Sequence, residues 1–243
     1  MINEPVRIVS DDFQNAWLEV TKRLMVSNWE LRNLVVQIKN PSVLDQVFQD
    51  KMEAFAKAQG ILSPKHVAYT IFPHGLYQWK GNAAGLFKAY NKERGLFDRI
   101  GGSWGTYFRR MTNYDGSNGT VNQLDNIIRA IKNRRNLLKA AYTVVIQTPG
   151  VETVRPLGGP CLNYIAIQAE PGSLGQPPTL GLLAVYRNHD ILKRTYGNYW
   201  GLCNLLRFLA KEINGTPGPL TCVSSHAYVD DKKTALKRLV KVL

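Results

Sequence analysis

A cysteine that follows a tight turn is the residue whose type and position in this sequence most suggest chemistry. Cys161 comes directly after a Gly-Gly-Pro turn (158–160), at the predicted start of a strand. Such a turn can hold a thiol at the mouth of a cleft, where a nearby cation would lower the thiol pKa and make it a nucleophile. Arg187 is the candidate cation, because the strands that flank the 171–179 loop should pair and bring their ends together. The alternative is a buried thiol that packs as a small hydrophobe, which is common for free cysteines.

Polar residues that could bind a ligand follow the next predicted strand. The chain continues there as Arg187-Asn188-His189-Asp190, and Asn198 lies eight residues beyond Asp190. An arginine can donate two hydrogen bonds to one phosphate group. The side chain of Asn198 offers both a donor and an acceptor, which suits the N3–H and C4=O edge of uracil. Asn198 could instead cap the helix that is predicted to begin there, since asparagine is a good N-cap.

Two polar rings lie near the C-terminal end of the sequence. His226 and Tyr228 are two residues apart in a predicted strand, so they share one face of it. Both rings can hydrogen-bond a sugar hydroxyl. The alternative is a pair of half-buried surface rings.

The elements that must position these residues predict an α+β fold. Helices on the outside surround a mixed, largely antiparallel sheet. The first helix is expected to begin at Ser10, which can cap it. Strands are predicted over 31–39, 141–147, 161–169, 180–187 and 220–228, helices over 42–58, 121–138, 198–213 and about 231–243, helical pieces with turns over 71–89, and a loop over 101–105.

Composition excludes several classes of protein. The 243 residues are 44% hydrophobic, which fits a packed core and excludes a disordered or collagen-like chain. No apolar run approaches 18 residues, so we expect no membrane span. The N-terminus shows no basic segment followed by an apolar one, and three scattered cysteines cannot make a disulfide framework, so we expect a location in the cytoplasm. The length allows one large domain or two small ones, and we expect a single domain over 1–243.

The charge balance favours an anionic partner. Thirty-one Lys and Arg against 18 Asp and Glu give a net charge of +13. Basic residues are dense at 132–139 and at 232–241, and the second stretch alternates with leucine and valine as an amphipathic helix does. Nucleic acid is therefore a possible partner, although no helix-turn-helix, zinc-finger or RNA-binding pattern accompanies the charge. Solubility alone is the alternative explanation.

These pieces, in their order and spacing, resemble the second half of thymidylate synthase and of the related pyrimidine nucleotide hydroxymethylases. That family has a Pro-Cys at its nucleophile, an Arg-Ser-x-Asp after the next strand, an Asn eight residues later and a His-x-Tyr about thirty residues beyond. The matching segments here are Trp104-Gly105-Thr106-Tyr107-Phe108-Arg109, Gly159-Pro160-Cys161, Tyr186-Arg187-Asn188-His189-Asp190, Asn198 and His226-Ala227-Tyr228. The last spacing is slightly short, and the match covers roughly residues 100–230.

The resemblance implies chemistry at C5 of a pyrimidine ring. Cys161 would add to C6, which makes C5 able to attack a one-carbon unit carried by 5,10-methylenetetrahydrofolate. Asn198 would read the base edge and favours uracil. Asp190 would lie beside the base and the pterin ring of the folate.

The resemblance also implies how the rest of the nucleotide is held. Arg187 would bind the phosphate and lower the thiol pKa, and Asn188, which replaces the family's serine, would still offer a donor to the phosphate. His226 and Tyr228 would hold the sugar 3′-hydroxyl. A homodimer with two sheets packed back to back is implied as well.

Departures from the family pattern leave a second function open. His74 lies where the family has the glutamate that organises water and proton transfer, seven residues before Gly81. A histidine there can carry protons near neutral pH or can mark lost chemistry. The other phosphate-binding arginines of the family have no clear counterpart, and only 15 residues follow Tyr228. The alternatives are a catalytically degenerate member of the fold that binds a nucleotide or a nucleic acid, and a chance match in a basic globular protein.

Overall fold

One mixed sheet forms the centre of the described structure. The computed structural model describes residues 4–93, 95, 104–116, 119–133, 142–148, 159–173 and 176–243. Within them, seven strands build the sheet and two short strands build a separate ribbon. The strands are β1 (Val6–Ser10), β2 (Glu30–Ile38), β3 (Tyr114–Gly116), β4 (Gly119–Val121), β5 (Tyr142–Val145), β6 (Leu162–Glu170), β7 (Thr179–Tyr186), β8 (His189–Asp190) and β9 (Thr216–Tyr228).

The topology of the sheet brings the predicted site residues to one edge. The strand order is β1-β2-β9-β7-β6-β5, with β8 paired to the end of β9. The pairs β1/β2 and β9/β7 are parallel, whereas β2/β9, β7/β6 and β6/β5 are antiparallel. The predicted α+β class with a mixed sheet is therefore confirmed. The predicted pairing is confirmed too, because the backbone N–H of Arg187 donates to the carbonyl of Cys161 at 2.9 Å.

Helices form one layer on the sheet. Those of the described ranges are α1 (Phe13–Met25), α2 (Gln46–Gln59), α3 (Pro64–Ile71), α4 (His74–Lys80), α5 (Ala83–Lys92), α6 (Tyr107–Thr112), α7 (Gln123–Lys132), α8 (Tyr196–Glu212) and α9 (Lys233–Val240). The helices that pack on the sheet also pack on one another, as α1 and α8 do. Along β2, β7 and β9, residues on one face of the sheet are buried and those on the other face are mostly only half-buried, so the helices of the described ranges cover mainly one face.

The central helix α8 is buried on nearly all sides between the sheet and α3. Glycine at two of its positions lets α3 approach closely. A Cβ at Gly197 would lie 2.5 Å from Cβ of Val67, and one at Gly201 would lie 2.7 Å from the carbonyl oxygen of Ala68. The close contact holds α3 over the N-terminal end of α8, where Asn198 lies.

The predicted start of the first helix was wrong. Ser10 ends β1, where it pairs with Ile38, and lies two residues before the position that caps the helix. Asp12 is the N-cap instead, and its carboxylate accepts hydrogen bonds from the backbone N–H groups of Gln14 and Asn15. Strand β1 itself has no counterpart among the predicted elements.

Two further helix starts differ from the prediction. The helix predicted over 42–58 begins at Gln46, because the side chain of Asp45 accepts from the N–H groups that open it. Asn198 does not cap the central helix. A π-helical turn, Ile191–Thr195, runs directly into α8, so Asn198 already lies in its first turn.

Some predicted segments lie partly outside the described residues. The loop over 101–105 is described from Trp104 onward, and the helix over 121–138 is described as α7 up to Lys132. The basic stretch 132–139 lies outside the description beyond residue 133. The C-terminal amphipathic helix is present as α9, with Leu236 and Leu239 buried. No helix among the described residues is long and apolar enough to span a membrane.

Candidate active site

A cleft of roughly 540 Å³ opens where β6 begins, β9 ends and α8 starts. Ligand-binding cavities commonly have volumes of about 300–1,000 Å³, so this one can take a nucleotide-sized molecule. The lining residues are Leu62, Val67, Thr70, Trp104, Tyr107, Gly159, Cys161, Asn188, His189, Asp190, Lys193, Arg194, Asn198 and Tyr228.

Backbone hydrogen bonds on both sides fix Cys161 at the floor of the cleft. It lies just before β6, and its backbone N–H donates to the hydroxyl of Tyr107 at 3.2 Å. The same hydroxyl accepts from the N–H of Leu162 at 3.4 Å. The carbonyl of Cys161 accepts from Arg187, as described above. The thiol is partly exposed to the cleft rather than enclosed in the core.

Burial and nearby charges act in opposite directions on the pKa of the Cys161 thiol. Burial raises the pKa of Cys161, and the Asp190 carboxylate adds to the rise. The guanidinium groups of Arg187 and Arg194 oppose it without reversing it. Arg187 therefore acts on the thiol pKa in the predicted direction, but desolvation of the thiolate outweighs the two cations, and the pKa stays raised.

A buried chain of hydrogen bonds holds Asn198. Its amide nitrogen contacts Nε2 of His189 at 2.9 Å, and Nδ1 of His189 contacts the hydroxyl of Ser224 at 2.9 Å. The imidazole stacks on Tyr186 with ring centroids 4.0 Å apart. Burial lowers the pKa of His189 to about 3, so the ring is neutral. We assign its proton to Nδ1, which leaves the oxygen and the second N–H of the Asn198 amide for a ligand.

Asn188 links the two polar rings of β9. Its side-chain oxygen accepts from Nδ1 of His226 at 2.8 Å, and its side chain also hydrogen-bonds Tyr228. The two rings are stacked at 5.1 Å, as expected for residues on one face of a strand. Tyr228 lines the cleft, whereas His226 lies behind it, with Nε2 at 3.1 Å from the carboxylate of Glu30.

Asp190 organises the rim of the cleft. Its carboxylate accepts from the backbone N–H of Lys193 at 2.9 Å, and its carbonyl accepts from the hydroxyl of Thr195. Burial raises the pKa of Asp190, while Lys193 and Arg194 oppose the rise. The turn that Asp190 caps carries both basic residues to the cleft, and Lys193 also pairs with Asp231 at 3.0 Å.

The predicted site residues fall into three groups. Cys161, Asn188, Asp190, Asn198 and Tyr228 line one cleft. Two others lie one contact away: His226, as described, and Arg187, whose Nε–H donates to the carbonyl of Pro160 at 3.2 Å. His74 is separate from all of them, because it begins α4 and lines a second cavity.

Four residues of the site gained no role from the sequence: Tyr107, His189, Arg194 and Ser224. His189 stood inside the polar run that pointed to the site, and Tyr107 stood inside the Trp-Gly-x-Tyr segment. Neither sequence pattern shows that the Tyr107 hydroxyl contacts the backbone at Cys161 or that the His189 ring contacts the Asn198 amide. Arg194 and Ser224 carried no signal, since an exposed arginine and a strand serine are common.

Fold and site together define an α+β protein whose nucleotide-sized cleft combines a thiol, a fixed amide, a phenol, a carboxyl group and a guanidinium. No family model matches the chain. Curated relatives named "Putative thymidylate synthase" do match it. One from Methanosarcina mazei is 30% identical over 127 residues. Those from Methanococcoides burtonii and Methanocaldococcus jannaschii are 27% identical over 126 and 128 residues.

The similarity to these relatives is partial. The three alignments cover 51–52% of this chain and 52–55% of each relative. The chain thus spans about half the length of the curated relatives it matches. The resemblance to thymidylate synthases that the motifs predicted is confirmed at the level of a divergent, thymidylate synthase-like protein.

Proposed function

We propose that this protein is a thymidylate synthase-like transferase that adds a one-carbon unit to C5 of a uracil-type pyrimidine nucleotide, with Cys161 as its nucleophile. The observation that carries the proposal is the shared cleft, in which a partly exposed thiol and a buried, oriented amide face the same space. The similarity to archaeal relatives of that name supports the reaction class.

The orientation of the Asn198 amide supports a uracil-type base. Uracil presents an N–H at N3 and a carbonyl at C4, and the free oxygen and N–H of the amide complement both. Cytosine presents an acceptor and an amino group there, so it needs the amide reversed. Reversal would place the amide oxygen against Nε2 of His189, so it also requires the proton of His189 to move from Nδ1 to Nε2.

The covalent step follows from the thiol and the amide. The thiol first loses its proton to solvent, and the sulfur of Cys161 then bonds to C6 of the ring. The electron pair of the C5=C6 bond moves toward C5 and the C4 oxygen, where the Asn198 N–H stabilises the developing negative charge. C5 thereby becomes the nucleophile for the one-carbon unit.

Cations and hydroxyl groups at the rim suit the sugar phosphate. Arg194 is exposed at the rim of the cleft and can donate two hydrogen bonds to a phosphate. Arg187 contributes positive potential near the thiol, although its Nε–H is engaged with Pro160. Tyr228 and Asn188 line the cleft and offer hydrogen bonds to the sugar.

The remaining wall of the cleft fits a flat, largely apolar ring. Trp104, Leu62 and Val67 line it, and Asp190 has a carboxyl group whose pKa is raised. These residues would hold the pterin of 5,10-methylenetetrahydrofolate between an aromatic side chain and a hydrogen-bonding carboxyl. The folate, when bound, supplies the one-carbon unit.

Mass spectrometry after incubation with 5-fluoro-dUMP tests the proposal, with and without 5,10-methylenetetrahydrofolate. We expect a covalent adduct on the Cys161 peptide that is absent in Cys161→Ser and retained in Cys203→Ala, since Cys203 is a buried thiol of α8. Because burial raises the thiol pKa, adduct formation should accelerate about tenfold per pH unit from pH 7 toward that pKa. A flat pH profile, or an adduct on another cysteine, contradicts the assigned nucleophile.

A binding protein without catalysis is the second candidate. The raised pKa of Cys161 and the engagement of Arg187 with Pro160 favour it. Calorimetry with dUMP separates the two functions. If dUMP binds in a way that depends on Asn198 and no covalent adduct forms at pH 7–9, the binding protein is supported. If neither dUMP nor 5-fluoro-dUMP binds, both candidate functions are contradicted.

The open face of the sheet supports a homodimer as part of the proposal. Cross-strand pairing places one apolar row on that face, and its members are at most about one-third exposed except for Val145. The row consists of Val35, Val223, Val185, Tyr164 and Val145. A second copy of the chain would cover it.

A further inference from the structure

A second cavity lies at the far end of the central helix from Cys161. Its volume is roughly 580 Å³, and it opens between α4, the C-terminal part of α8 and the turn that follows. It shares no lining residue with the cleft of Cys161. The function proposed above makes no use of it.

Two cations face this cavity without a carboxylate partner. Arg207 and Lys211 both line it and are four residues apart on α8, so they lie on neighbouring turns of one helix face. Among the residues that the structure describes, neither forms an ion pair. Arg207 reaches only the amide oxygen of Asn204 at 3.5 Å, and the Lys211 ammonium lies 5.3 Å from the ring centre of Tyr77.

The carboxylate that follows Lys211 along the chain is held by other donors. Glu212 accepts from the hydroxyl of Tyr77 at 2.8 Å and from the backbone N–H of Ala83 at 3.1 Å. It is not among the residues that line the cavity. The positive charge of Arg207 and Lys211 is therefore left for something that enters the cavity.

His74 adds an unmet hydrogen bond at the same place. Its Nδ1 is buried and has no hydrogen-bond partner among the residues that the structure describes. Burial lowers the pKa of His74, and Arg207 and Lys211 lower it further. Two like charges one turn apart oppose the empty state, and an anion bound between them would relieve their repulsion.

We propose that this cavity binds the phosphate group of a small phosphorylated molecule. Arg207 supplies a planar donor fork for two phosphate oxygens, and Lys211 supplies a point charge for a third. His74 donates to the phosphate through a ring nitrogen, and Gln78 offers an amide at the rim. The volume of the cavity suits a phosphorylated sugar or a mononucleotide. The proposal is independent of the reaction at Cys161.

Histidine NMR on the full chain tests the proposal. The chain has four histidines, so the ring signals can be assigned with one substitution each. His74 reports on the second cavity, and His226 reports on the neighbourhood of the first cleft. On addition of ribose 5-phosphate we expect the His74 signal to shift and its pKa to rise, because the bound dianion stabilises the imidazolium.

Paired variants identify the cations. The double variant Arg207→Gln/Lys211→Gln should weaken binding at His74 at least tenfold, which corresponds to about 1.4 kcal/mol. The control Lys233→Gln/Lys237→Gln removes the same charge from an equally spaced pair on α9 and should change binding less than twofold. The wild-type His74 titration needs no variant, so it decides the matter even if the double variant unfolds.

Three results would overturn the proposal. The first is that the signal and pKa of His74 do not change at millimolar ribose 5-phosphate. The second is that the double variant binds ribose 5-phosphate as tightly as the control does. In the third, a single-stranded oligonucleotide shifts His74 while ribose 5-phosphate and inorganic phosphate do not, which would identify a polymer surface instead.

Discussion

At the scale of single residues, the reactivity of Cys161 is a competition between burial and charge. Removing the thiol from water disfavours its anion, and the two guanidinium groups nearby only reduce that cost. Arg187 stands close because strand pairing places it there, but its Nε–H already serves the turn before the cysteine. The thiol is therefore mainly protonated at neutral pH.

His189 is a positioning residue whose replacement should alter base preference. In His189→Phe a ring can still stack on Tyr186, but Asn198 and Ser224 lose their buried partner. Each unsatisfied group should cost about 1–3 kcal/mol of unfolding free energy. With its amide free to turn, Asn198 should accept either base, so the ratio of dUMP to dCMP affinity should fall toward one.

Calorimetry with both nucleotides measures that ratio, and denaturant unfolding measures the loss of stability. The control is His66→Phe in α3, a histidine outside the cleft lining, which should leave the ratio unchanged. A folded His189→Phe protein that keeps the wild-type preference would show that Asn198 is held by other contacts. A merely structural role for His189 would lower both affinities equally.

At the scale of elements, the sequence predicted those parts of the site that depend on the pairing of two strands that follow each other along the chain. Antiparallel β6 and β7 follow from two apolar runs around a short loop, and they bring Cys161 and Arg187 together. The start of α1 could not be read locally, because Ser10 is a good cap that tertiary pairing with Ile38 holds in a strand. Counting residues placed His74 at the position of the family's glutamate. In the structure, however, α3 ends at Ile71 and a separate helix, α4, begins at His74.

Other parts of the site depend on features that spacing does not encode. Between Arg32 and Leu34 the register of β2 with β9 is unchanged, but the ladder is interrupted at Asn33, whose φ of 53° lies in the left-handed region. His226 lies directly beyond this irregularity and contacts Asn188 and Glu30 instead of lining the cleft. The sequence motif therefore identified both rings of β9 but could not say which of them faces a ligand.

The contact between α3 and α8 should control the shape of the cleft. In Gly197→Ala the new Cβ would meet Cβ of Val67 at 2.5 Å and the carbonyl oxygen of Pro64 at 2.7 Å, so α3 must move. Overpacking of this kind should lower the unfolding free energy by about 1–3 kcal/mol. Since Val67 lines the cleft, nucleotide affinity should fall as well.

Denaturant unfolding measures the change in stability of Gly197→Ala, and calorimetry measures the change in its nucleotide affinity. The control variant is Gly75→Ala. Gly75 lies in α4 with no atom within 4 Å of its would-be Cβ, so alanine there should stabilise the helix by up to about 1 kcal/mol. If the two variants change stability in the same direction and by the same amount, close packing of α3 on α8 does not set the cleft.

At the scale of the whole molecule, helix α8 separates two cavities. The cleft of Cys161 lies at its N-terminal end and the cavity of Arg207 and Lys211 toward its C-terminal end. Asn198 lines the first cleft and Arg207 lines the second cavity, and these residues are nine positions apart on α8, or about 14 Å along the helix axis. The helix thus connects the two cavities directly.

Because the helices cover mainly one face of the sheet, we expect two copies of the chain to associate through the other face. Val223 pairs with both Val35 and Val185, so it lies at the centre of the apolar row. In Val223→Glu a second copy would have to bury an unpaired carboxylate there, which costs several kcal/mol per ion. Analytical ultracentrifugation should therefore find a dimer for the wild type and a monomer for Val223→Glu. Val47→Glu makes the same replacement at a valine of α2 that is 66% exposed, and it should remain dimeric. A monomeric wild type, or a Val223→Glu dimer of unchanged affinity, would mean that the open face is not where two copies meet.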